Sequence, residues 1–198
     1  MDASSQQVPI WKRSLDLVVG SLCLFLTAPL LLVIALCVRF TLGRPILFRQ
    51  LRPGLGGHIF VIHKFRSMRT ADDSDNRGDE YRITRFGAFL RKTSLDELPQ
   101  LFNVLFGNMS IVGPRPHATA HNEIFEGQIS PFRRRHNVKP GITGWAQVNG
   151  YRGQTDTLEK MRRRVECDLY YIDHWSLLFD VKIVIMTLFS KRTYTNAY

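Results

Sequence analysis

The sequence predicts an α+β, mainly helical protein with an N-terminal membrane helix, a small β-hairpin, interfacial amphipathic helices and one compact domain. Three observations support this fold class. A long uncharged segment lies near the N-terminus, later segments repeat apolar residues at helical spacing, and two short apolar runs flank a Pro-Gly turn. At 198 residues the chain is long enough for one such domain. We divide it into a flexible tail at 1–10, a membrane helix at 11–40 and the compact domain at 41–198.

The chain is strongly basic, with 27 Lys and Arg against 17 Asp and Glu and a formal net charge of +10. This charge predicts an anionic partner, and charge alone does not choose among nucleic acid, acidic lipid and a phosphorylated substrate. The cysteines, Cys23, Cys37 and Cys167, have no metal-ligand spacing and indicate no disulfide framework. Reduced thiols in a protein that faces the cytoplasm fit this pattern best.

The membrane helix is predicted from residues 17–38, which include no charged side chain. As an α-helix this segment would extend about 33 Å, enough to cross a bilayer. It is longer than the apolar region of a secretory signal, and no small-residue cleavage site follows it. The segment is therefore predicted to anchor the protein to a membrane.

The topology of this helix has two interpretations. Lys12 and Arg13 precede the apolar segment, while Arg39 and Arg44 follow it, so the positive-inside rule draws both ends to the cytoplasmic face. Pro29 lies near the middle, where proline removes a backbone donor and bends a helix. A re-entrant helix broken at Pro29 satisfies both observations. A kinked transmembrane helix is the alternative, because proline is tolerated in such helices.

A β-hairpin is predicted next, with strands at 46–51 and 58–68 around the glycine-rich turn 53–57. The glycines of this turn lack the spacing of a nucleotide-binding loop. Lys64 and Arg66 belong to the second strand and are either surface charges or phosphate ligands. A mobile polar loop at 70–80 and a basic amphipathic interfacial helix at 81–92 are predicted to follow.

Two adjacent carboxylates, Asp96 and Glu97, mark the candidate site. Ser94 and Glu97 have the spacing of a capping box before the apolar run 98–106, which would place Asp96 in the first turn of a helix. A helix N-terminus favours ionised carboxylates and attracts phosphate. Ordinary first-turn acids would give the same local pattern.

Basic residues around this pair strengthen a chemical interpretation. Arg91 precedes the two acids, and Arg115 follows the apolar run in a Gly-Pro-Arg-Pro turn. Two acids among cations indicate a phosphoryl-transfer site, where a metal and cations offset phosphate charge while a carboxylate attacks.

The remaining chain gives weaker signals. His117 and His121 are four residues apart but lack a third ligand, so a zinc site is not favoured. The glycine-rich segment 139–153 is either a nucleotide- or sugar-binding loop or an ordered turn. A long helix is predicted at 156–175, with a capping box from Asp156 to Glu159. Its polar face is expected to be solvated or to lie near anionic head groups, and comprises Lys160, Arg162, Arg163, Arg164 and Glu166. The apolar segment 177–189 is too short to span and predicts a core or interfacial helix.

Five ordered motifs resemble the bacterial sugar transferases, the monotopic polyprenyl-phosphate phosphoglycosyl transferases. They are the apolar segment with Pro29 and the stretches 64–68, 94–104, 109–116 and 139–145. The resemblance covers the chain from about Trp11 onward. It implies that a sugar-1-phosphate passes from a UDP-sugar to undecaprenyl phosphate with release of UMP, the first membrane step of exopolysaccharide or capsule repeat-unit synthesis.

The resemblance also implies roles for individual residues. Asp96 would be the nucleophile that forms a covalent phosphosugar–aspartate intermediate, and Glu97 would help to hold Mg²⁺. Arg91 and Arg115 match positions expected to bind phosphate. Ala28 stands before Pro29 where the family often has serine, so the helix break is expected without a serine hydroxyl.

The resemblance further implies a bacterial inner (plasma) membrane location, with the catalytic domain on the cytoplasmic face. The partners implied are a UDP-sugar, undecaprenyl phosphate and anionic membrane lipids, with no nucleic acid, and a homodimer is left open. The motifs at 116–118 and 144–161 favour glucose as the sugar, with galactose as the alternative. A membrane-anchored basic binding protein without catalysis, and a metal-dependent phosphohydrolase, are the competing functions.

Overall fold

The computed structural model describes residues 9–69, 82–153, 155 and 157–189. Seven α-helices are found in these ranges: α1 (Ile10–Thr41), α2 (Arg85–Thr93), α3 (Gln100–Leu105), α4 (Thr119–Glu126), α5 (Trp145–Val148), α6 (Leu158–Asp173) and α7 (Leu177–Phe189). The strands found there are β1 (Leu47–Pro53), β2 (Ile59–Phe65), β3 (Ser110–Val112) and β4 (Gly141–Thr143). The mainly helical α+β class is confirmed. The predicted tail before Pro9 and the predicted loop 70–80 lie outside the described residues.

Helix α1 is 32 residues long and includes Pro29, so the predicted break at this proline is not confirmed. Within the described ranges, α1 is the one helix long and apolar enough to cross a membrane. Large apolar side chains along it are exposed, among them Phe25, Leu26 and Phe40. Such exposure in a long apolar helix indicates association with a membrane.

The N-terminal part of α1 is fixed to the domain by polar contacts. Arg13 donates hydrogen bonds to the carbonyls of Val104 and Leu105, at 2.6 and 2.7 Å. Asp16 accepts one from Ser110 Oγ at 2.9 Å. Because these partners belong to the end of α3 and the start of β3, this part of the membrane helix lies against the domain.

The C-terminal part of α1 is fixed to the same domain by apolar packing. Ile34, Val38 and Leu42 form a buried cluster with Phe65 of β2 and Leu90 of α2. Both ends of the membrane helix therefore contact one folded unit.

The predicted hairpin is confirmed. Strands β1 and β2 pair antiparallel from Leu47 opposite Phe65 to Pro53 opposite Ile59. One face of β2 contributes Phe60 and Ile62 to a buried cluster with Val104 and Met109. The hairpin thereby packs on α3 and presents the end of β2 to the candidate site.

The parallel pair of β3 and β4 was not predicted. Its close approach depends on glycine: a Cβ on Gly113 would lie 2.4 Å from the carbonyl oxygen of Lys139. A Cβ on Gly141 would lie 2.1 Å from the amide nitrogen of Gly113. Any larger residue at these positions would separate the strands, and Arg115 follows directly after this pair.

Two predicted helices need correction. Helix α2 begins at Arg85 and not near 81, because Thr84 caps it by accepting a hydrogen bond from Gly87, while Ile83 pairs with Met68 in a β-bridge. Helix α6 is capped by Thr157. Asp156, the predicted cap, lies outside the described residues.

The polar face predicted for α6 is also partly wrong. Arg164 is 4% exposed and lies among the buried positions of the helix with Met161, Val165 and Asp168. Arg162 and Arg163 are exposed, as expected. Arg164 is three residues after Met161 and four before Asp168, so it shares the inward face.

Candidate active site

Ser94 ends α2 and does not cap the next helix, so the predicted capping box is wrong. Its φ of 58° is left-handed, and its hydroxyl accepts a hydrogen bond from Arg152. Residues Leu95–Glu97 form a 3-10 turn, and α3 starts at Gln100 with Pro99 at its N-cap. A helix running from Ser94 would hold Pro99 in its interior, where proline lacks a donor and clashes with the preceding turn.

This turn buries both carboxylates, with Asp96 8% and Glu97 6% exposed. Glu97 accepts a hydrogen bond from Lys64 Nζ at 2.7 Å and two from the Arg115 guanidinium, at 2.5 and 3.0 Å. Arg152 lies 3.8 Å from the same carboxylate. Burial by itself would raise the pKa of Glu97, but Arg115 and Lys64 hold this pKa well below its usual range. Glu97 is therefore a fixed anion that orients three cations.

Asp96 has the opposite electrostatic environment. Burial, and then the adjacent charge of Glu97, raise the pKa of Asp96 to about 6, and the cations Lys64 and Arg115 offset only part of this effect. Asp96 is also among the residues that line a cavity. The two neighbouring carboxyls therefore have separated pKa values: Glu97 is a paired anion, and Asp96 is the more basic of the two.

Among the residues that the structure describes, two cavities share part of their walls at this site. The first, here called the hairpin cavity, is about 1250 Å³ and is lined by Arg44, Pro45, Ile46, Leu47, Phe48, Arg49, Lys64, Phe65, Arg66, Ser67, Met68, Arg69, Arg82, Arg91 and Asp96. The second, here called the arginine cavity, is about 720 Å³ and is lined by Arg52, Ile62, Lys64, Arg91, Arg115, Pro116, His117, Ala118, Ile124, Phe125, Arg152, Gly153, Thr155 and Arg164. Lys64 and Arg91 belong to both walls.

The predicted site residues are brought together, with differences in detail. Arg91 lines both cavities and donates a hydrogen bond to Met68 Sδ at 3.5 Å. Arg66 lines the hairpin cavity, but its guanidinium donates to the carbonyls of Leu42 and Arg44 after α1. Arg66 therefore holds the end of the membrane helix in place, and a role in phosphate binding stays a prediction.

A buried ion pair supports Arg115. Arg135 Nε donates to Asp168 at 2.7 Å, with both side chains almost fully buried, and Arg135 Nη2 donates to the carbonyl of Arg115 at 2.8 Å. This pair anchors the Gly-Pro-Arg-Pro turn to α6. The position of Arg115 thus depends on residues distant in sequence.

His117 and Arg164 form a second buried contact behind the arginine cavity. Arg164 Nη1 lies 3.1 Å from His117 Nε2, and Arg164 Nη2 donates to the carbonyl of Gly153. Burial, followed by the charges of Arg135 and Arg164, holds the pKa of His117 well below its usual range. His117 is therefore neutral, and its Nε2 accepts the hydrogen bond from Arg164.

Sequence reasoning missed several residues of this site. Arg164 and Asp168 could have been found from the i, i+3 and i, i+4 spacing of α6, which puts them on the apolar stripe. Arg152 belongs to the glycine-rich segment already singled out, although nothing there predicted its contact with Ser94. Arg52 gave no signal, since one arginine on a strand is ordinary.

The two carboxylates differ in how well they could hold Mg²⁺. Over the residues that the structure describes, no group of three or more His, Cys, Asp or Glu side chains is placed to hold a metal ion. Both oxygens of Glu97 are already paired with Lys64 or Arg115, whereas Asp96 lines the hairpin cavity. Because Mg²⁺ is commonly held by one or two carboxylates together with substrate phosphates, Asp96 fits such a site better than Glu97.

The fold and site define a membrane-associated protein with two adjacent buried carboxylates. Asp96 has a raised pKa and lines one of two cation-lined cavities, and Glu97 is paired with Lys64 and Arg115. A family model described as "Bacterial sugar transferase" matches residues 7–193. The chain belongs to this family, and the resemblance found in the sequence is confirmed.

Several curated relatives share high identity with the chain. A protein of Klebsiella pneumoniae named UDP-glucose:undecaprenyl-phosphate glucose-1-phosphate transferase is 51% identical over 193 residues, covering 96% of this chain and 42% of that protein. An Escherichia coli (strain K12) protein of the same name is 52% identical over 191 residues, covering 94% and 41%. A third protein of this name, from Caulobacter vibrioides, is 50% identical over 196 residues, covering 96% and 73%. The chain therefore spans about two-fifths of the length of the first two relatives.

Proposed function

We propose that this protein transfers glucose-1-phosphate from UDP-glucose to undecaprenyl phosphate and releases UMP. The observation that carries this proposal is the asymmetric carboxylate pair: Asp96 has a raised pKa and lines a cavity, while Glu97 is held by Lys64 and Arg115. A nucleophile beside fixed cations suits attack on a diphosphate, whose charge grows on the leaving group.

Asp96 acts twice in the proposed mechanism. Its carboxylate attacks the phosphorus that bears the sugar, and UMP leaves, so that a phosphosugar–aspartate intermediate remains on the protein. The lipid phosphate then attacks this phosphorus and restores the carboxylate. Lys64, Arg91 and Arg115 supply positive charge around the phosphates.

Mg²⁺ is the proposed cofactor. Asp96 would hold it together with substrate phosphates, and Glu97 would take part only by exchanging one of its present cations. When bound, the ion supplies positive charge that neutralises the diphosphate and its leaving oxygen.

Membrane attachment is proposed to be re-entrant. Arg13 and Asp16 near the start of α1, and Val38 and Leu42 near its end, contact the same domain. A helix that carried its two ends to opposite sides could not keep both sets of contacts. We therefore place the catalytic domain and both helix ends on the cytoplasmic face of the inner membrane.

Helix α7 supports the same arrangement. One stripe of it presents exposed apolar side chains at helical spacing: Leu178, Val181, Ile185 and Leu188. Lys12 of α1 is paired with Asp180 of α7 at 2.6 Å, so the two helices are fixed relative to each other. Their exposed apolar residues suit one lipid surface, where anionic head groups would meet the basic chain.

Glucose is proposed because the relatives reported above bear UDP-glucose in their names. Galactose-1-phosphate remains the alternative, since the two hexoses differ in the orientation of one hydroxyl.

The decisive experiment measures UMP release by purified protein in nanodiscs, with Mg²⁺, undecaprenyl phosphate and a panel of UDP-sugars, beside Asp96→Asn. With UDP-glucose we expect repeated turnover that depends on the lipid, about one equivalent of UMP per protein without it, and no release in the variant. A binding protein without catalysis would give no release with any sugar, although the protein is folded. A phosphohydrolase would release free sugar phosphate without the lipid.

A further inference from the structure

We infer that the two cavities divide the two substrates: the arginine cavity takes the uridine nucleotide, the hairpin cavity takes the polyprenyl chain, and their phosphates use one shared position beside Lys64 and Arg91. This inference rests on the proposed transfer. It adds where the body of each substrate lies.

The shared position follows from the chemistry of two displacements. In the first, an oxygen of Asp96 bonds to the sugar-bearing phosphorus, and the bond from this phosphorus to the bridging oxygen breaks, so UMP leaves with the electron pair. In the second, an oxygen of the lipid phosphate bonds to the same phosphorus, and the electron pair of the breaking bond returns to Asp96. Attacking and leaving oxygens lie roughly in line across the phosphorus. Because Asp96 occupies one side in both steps, UMP and the lipid phosphate must occupy the other side in turn.

The uridine nucleoside and the polyprenyl chain cannot share a binding position as easily as the two phosphates can. Uridine and ribose are polar, whereas the polyprenyl chain is a hydrocarbon, so each requires a different wall. Lys64 and Arg91 line both cavities and mark the place where the two paths meet. Two cavities that share these two cations suit two substrates that both carry phosphate but differ in the attached group, a nucleoside in one and a polyprenyl chain in the other.

The arginine cavity matches the nucleotide. Arginines line both cavities. Five line the hairpin cavity alone: Arg44, Arg49, Arg66, Arg69 and Arg82. Four line the arginine cavity alone: Arg52, Arg115, Arg152 and Arg164. None of the described residues that line it is acidic.

The hairpin cavity matches the lipid. Its wall at 44–49 follows directly after Thr41, the last residue of the membrane helix. Pro45, Ile46, Leu47 and Phe48 provide an apolar surface there. A polyprenyl chain held in the membrane beside α1 meets this wall next to Asp96.

The test uses the independence of the two substrates in ping-pong kinetics, where kcat/KM for each substrate reports only its own half-reaction. Arg52→Gln should lower kcat/KM for UDP-glucose roughly tenfold, as expected for one hydrogen bond to a charged group, and leave that for undecaprenyl phosphate unchanged. Phe48→Gln should do the reverse, with a loss of roughly tenfold from reduced apolar burial. Arg162→Gln removes an exposed arginine of α6 and should change neither value.

The outcomes separate this inference from the proposed function. Unaltered protein given labelled UDP-glucose without lipid should retain the sugar phosphate, and absence of that label would overturn the transfer itself. If label is retained but either variant lowers both kcat/KM values equally, or each affects the other substrate, the division of cavities is wrong. Arg52→Lys, which keeps the charge, should recover part of the loss for UDP-glucose, and the melting temperatures of all variants show whether each is folded.

Discussion

Asp96 and Glu97 are neighbours in the chain, yet the structure gives them opposite protonation behaviour. Glu97 faces Lys64 and Arg115, so its pKa is held low. Asp96 is buried as well, but Lys64 and Arg115 offset only part of the effect of burial and of the Glu97 charge, so the pKa of Asp96 rises to about 6. As the proposed nucleophile, an aspartate of this basicity is still largely ionised at neutral pH and is more reactive than an ordinary carboxylate.

The pKa of Asp96 predicts an acid limit on activity. Since the carboxylate form attacks in the proposed mechanism, kcat/KM for UDP-glucose should fall about tenfold for each pH unit below this pKa and level off above it. Initial rates of UMP release at subsaturating UDP-glucose, on both sides of pH 6, measure this. A profile that stays flat down to 3.8, the ordinary aspartate value, would contradict the assignment.

Glu97→Gln should move this limit to lower pH. The substitution removes the negative charge that raises the pKa of Asp96 and leaves the Lys64 and Arg115 charges uncompensated. The plateau rate should fall as well, because the amide holds these two cations less firmly. The same pH series measures both effects. Glu166→Gln, at an exposed position of α6, is the matched control and should leave the limit near 6.

Among the secondary-structure elements, α1 and α7 are joined by a buried network. Lys12 pairs with Asp180, which also accepts hydrogen bonds from Tyr171 and Trp175, and Trp11 stacks on Trp175 at 4.8 Å. This network fixes the membrane helix to the last described helix of the domain. The position of the membrane helix relative to the domain in turn sets how the site is held at the membrane surface.

Lys12→Met should destabilise the protein by about 3–5 kcal/mol, because it leaves the Asp180 carboxylate buried without its cation. A denaturant titration of the protein in detergent measures this loss in the free energy of unfolding. Adding Asp180→Asn should recover part of it. Arg133→Gln breaks an exposed ion pair with Glu126 and should cost only about 0–1 kcal/mol. Equal losses in the buried and exposed pairs would show that the network is not important for stability.

The parallel strands β3 and β4 set the place of Arg115 through their glycines. Gly113→Ala would press a methyl group against the Lys139 carbonyl, and we expect a loss of at least about 1–3 kcal/mol in the free energy of unfolding. UMP release should fall too, because Arg115 moves with this turn. Gly127→Ala is the control: a Cβ there meets nothing within 4 Å, so stability and UMP release should be unchanged. An unchanged melting temperature in Gly113→Ala would contradict the close approach.

For the whole molecule, the contacts at both ends of α1 predict that the N-terminus and the hairpin lie on one side of the membrane. Single cysteines at Ser5 and at exposed His58, in a variant with Cys23, Cys37 and Cys167 replaced by serine, test this with an impermeant maleimide. Both should react only from the cytoplasmic side. Reaction from opposite sides would establish a spanning helix.

The sequence by itself determined the membrane helix, the hairpin, the helix at 177–189 and the importance of the segment around Asp96. These signals are local: an uncharged run, a Pro-Gly turn, helical periodicity and ordered motifs each lie within a few turns of chain. The motifs also identified the family before any contact was known.

Only the tertiary structure decided how the carboxylates differ and what surrounds them. Lys64, Arg115 and Arg152 reach Glu97 from three separate segments, and no periodicity encodes such long-range pairing. Ser94 does not cap a helix as predicted, because its hydroxyl accepts a hydrogen bond from Arg152 and its backbone is left-handed. Pro99 also prevents a continuous helix from starting at Ser94. Burial and charge at a point are sums over the folded chain, so the pKa values and the two cavities exist only after folding.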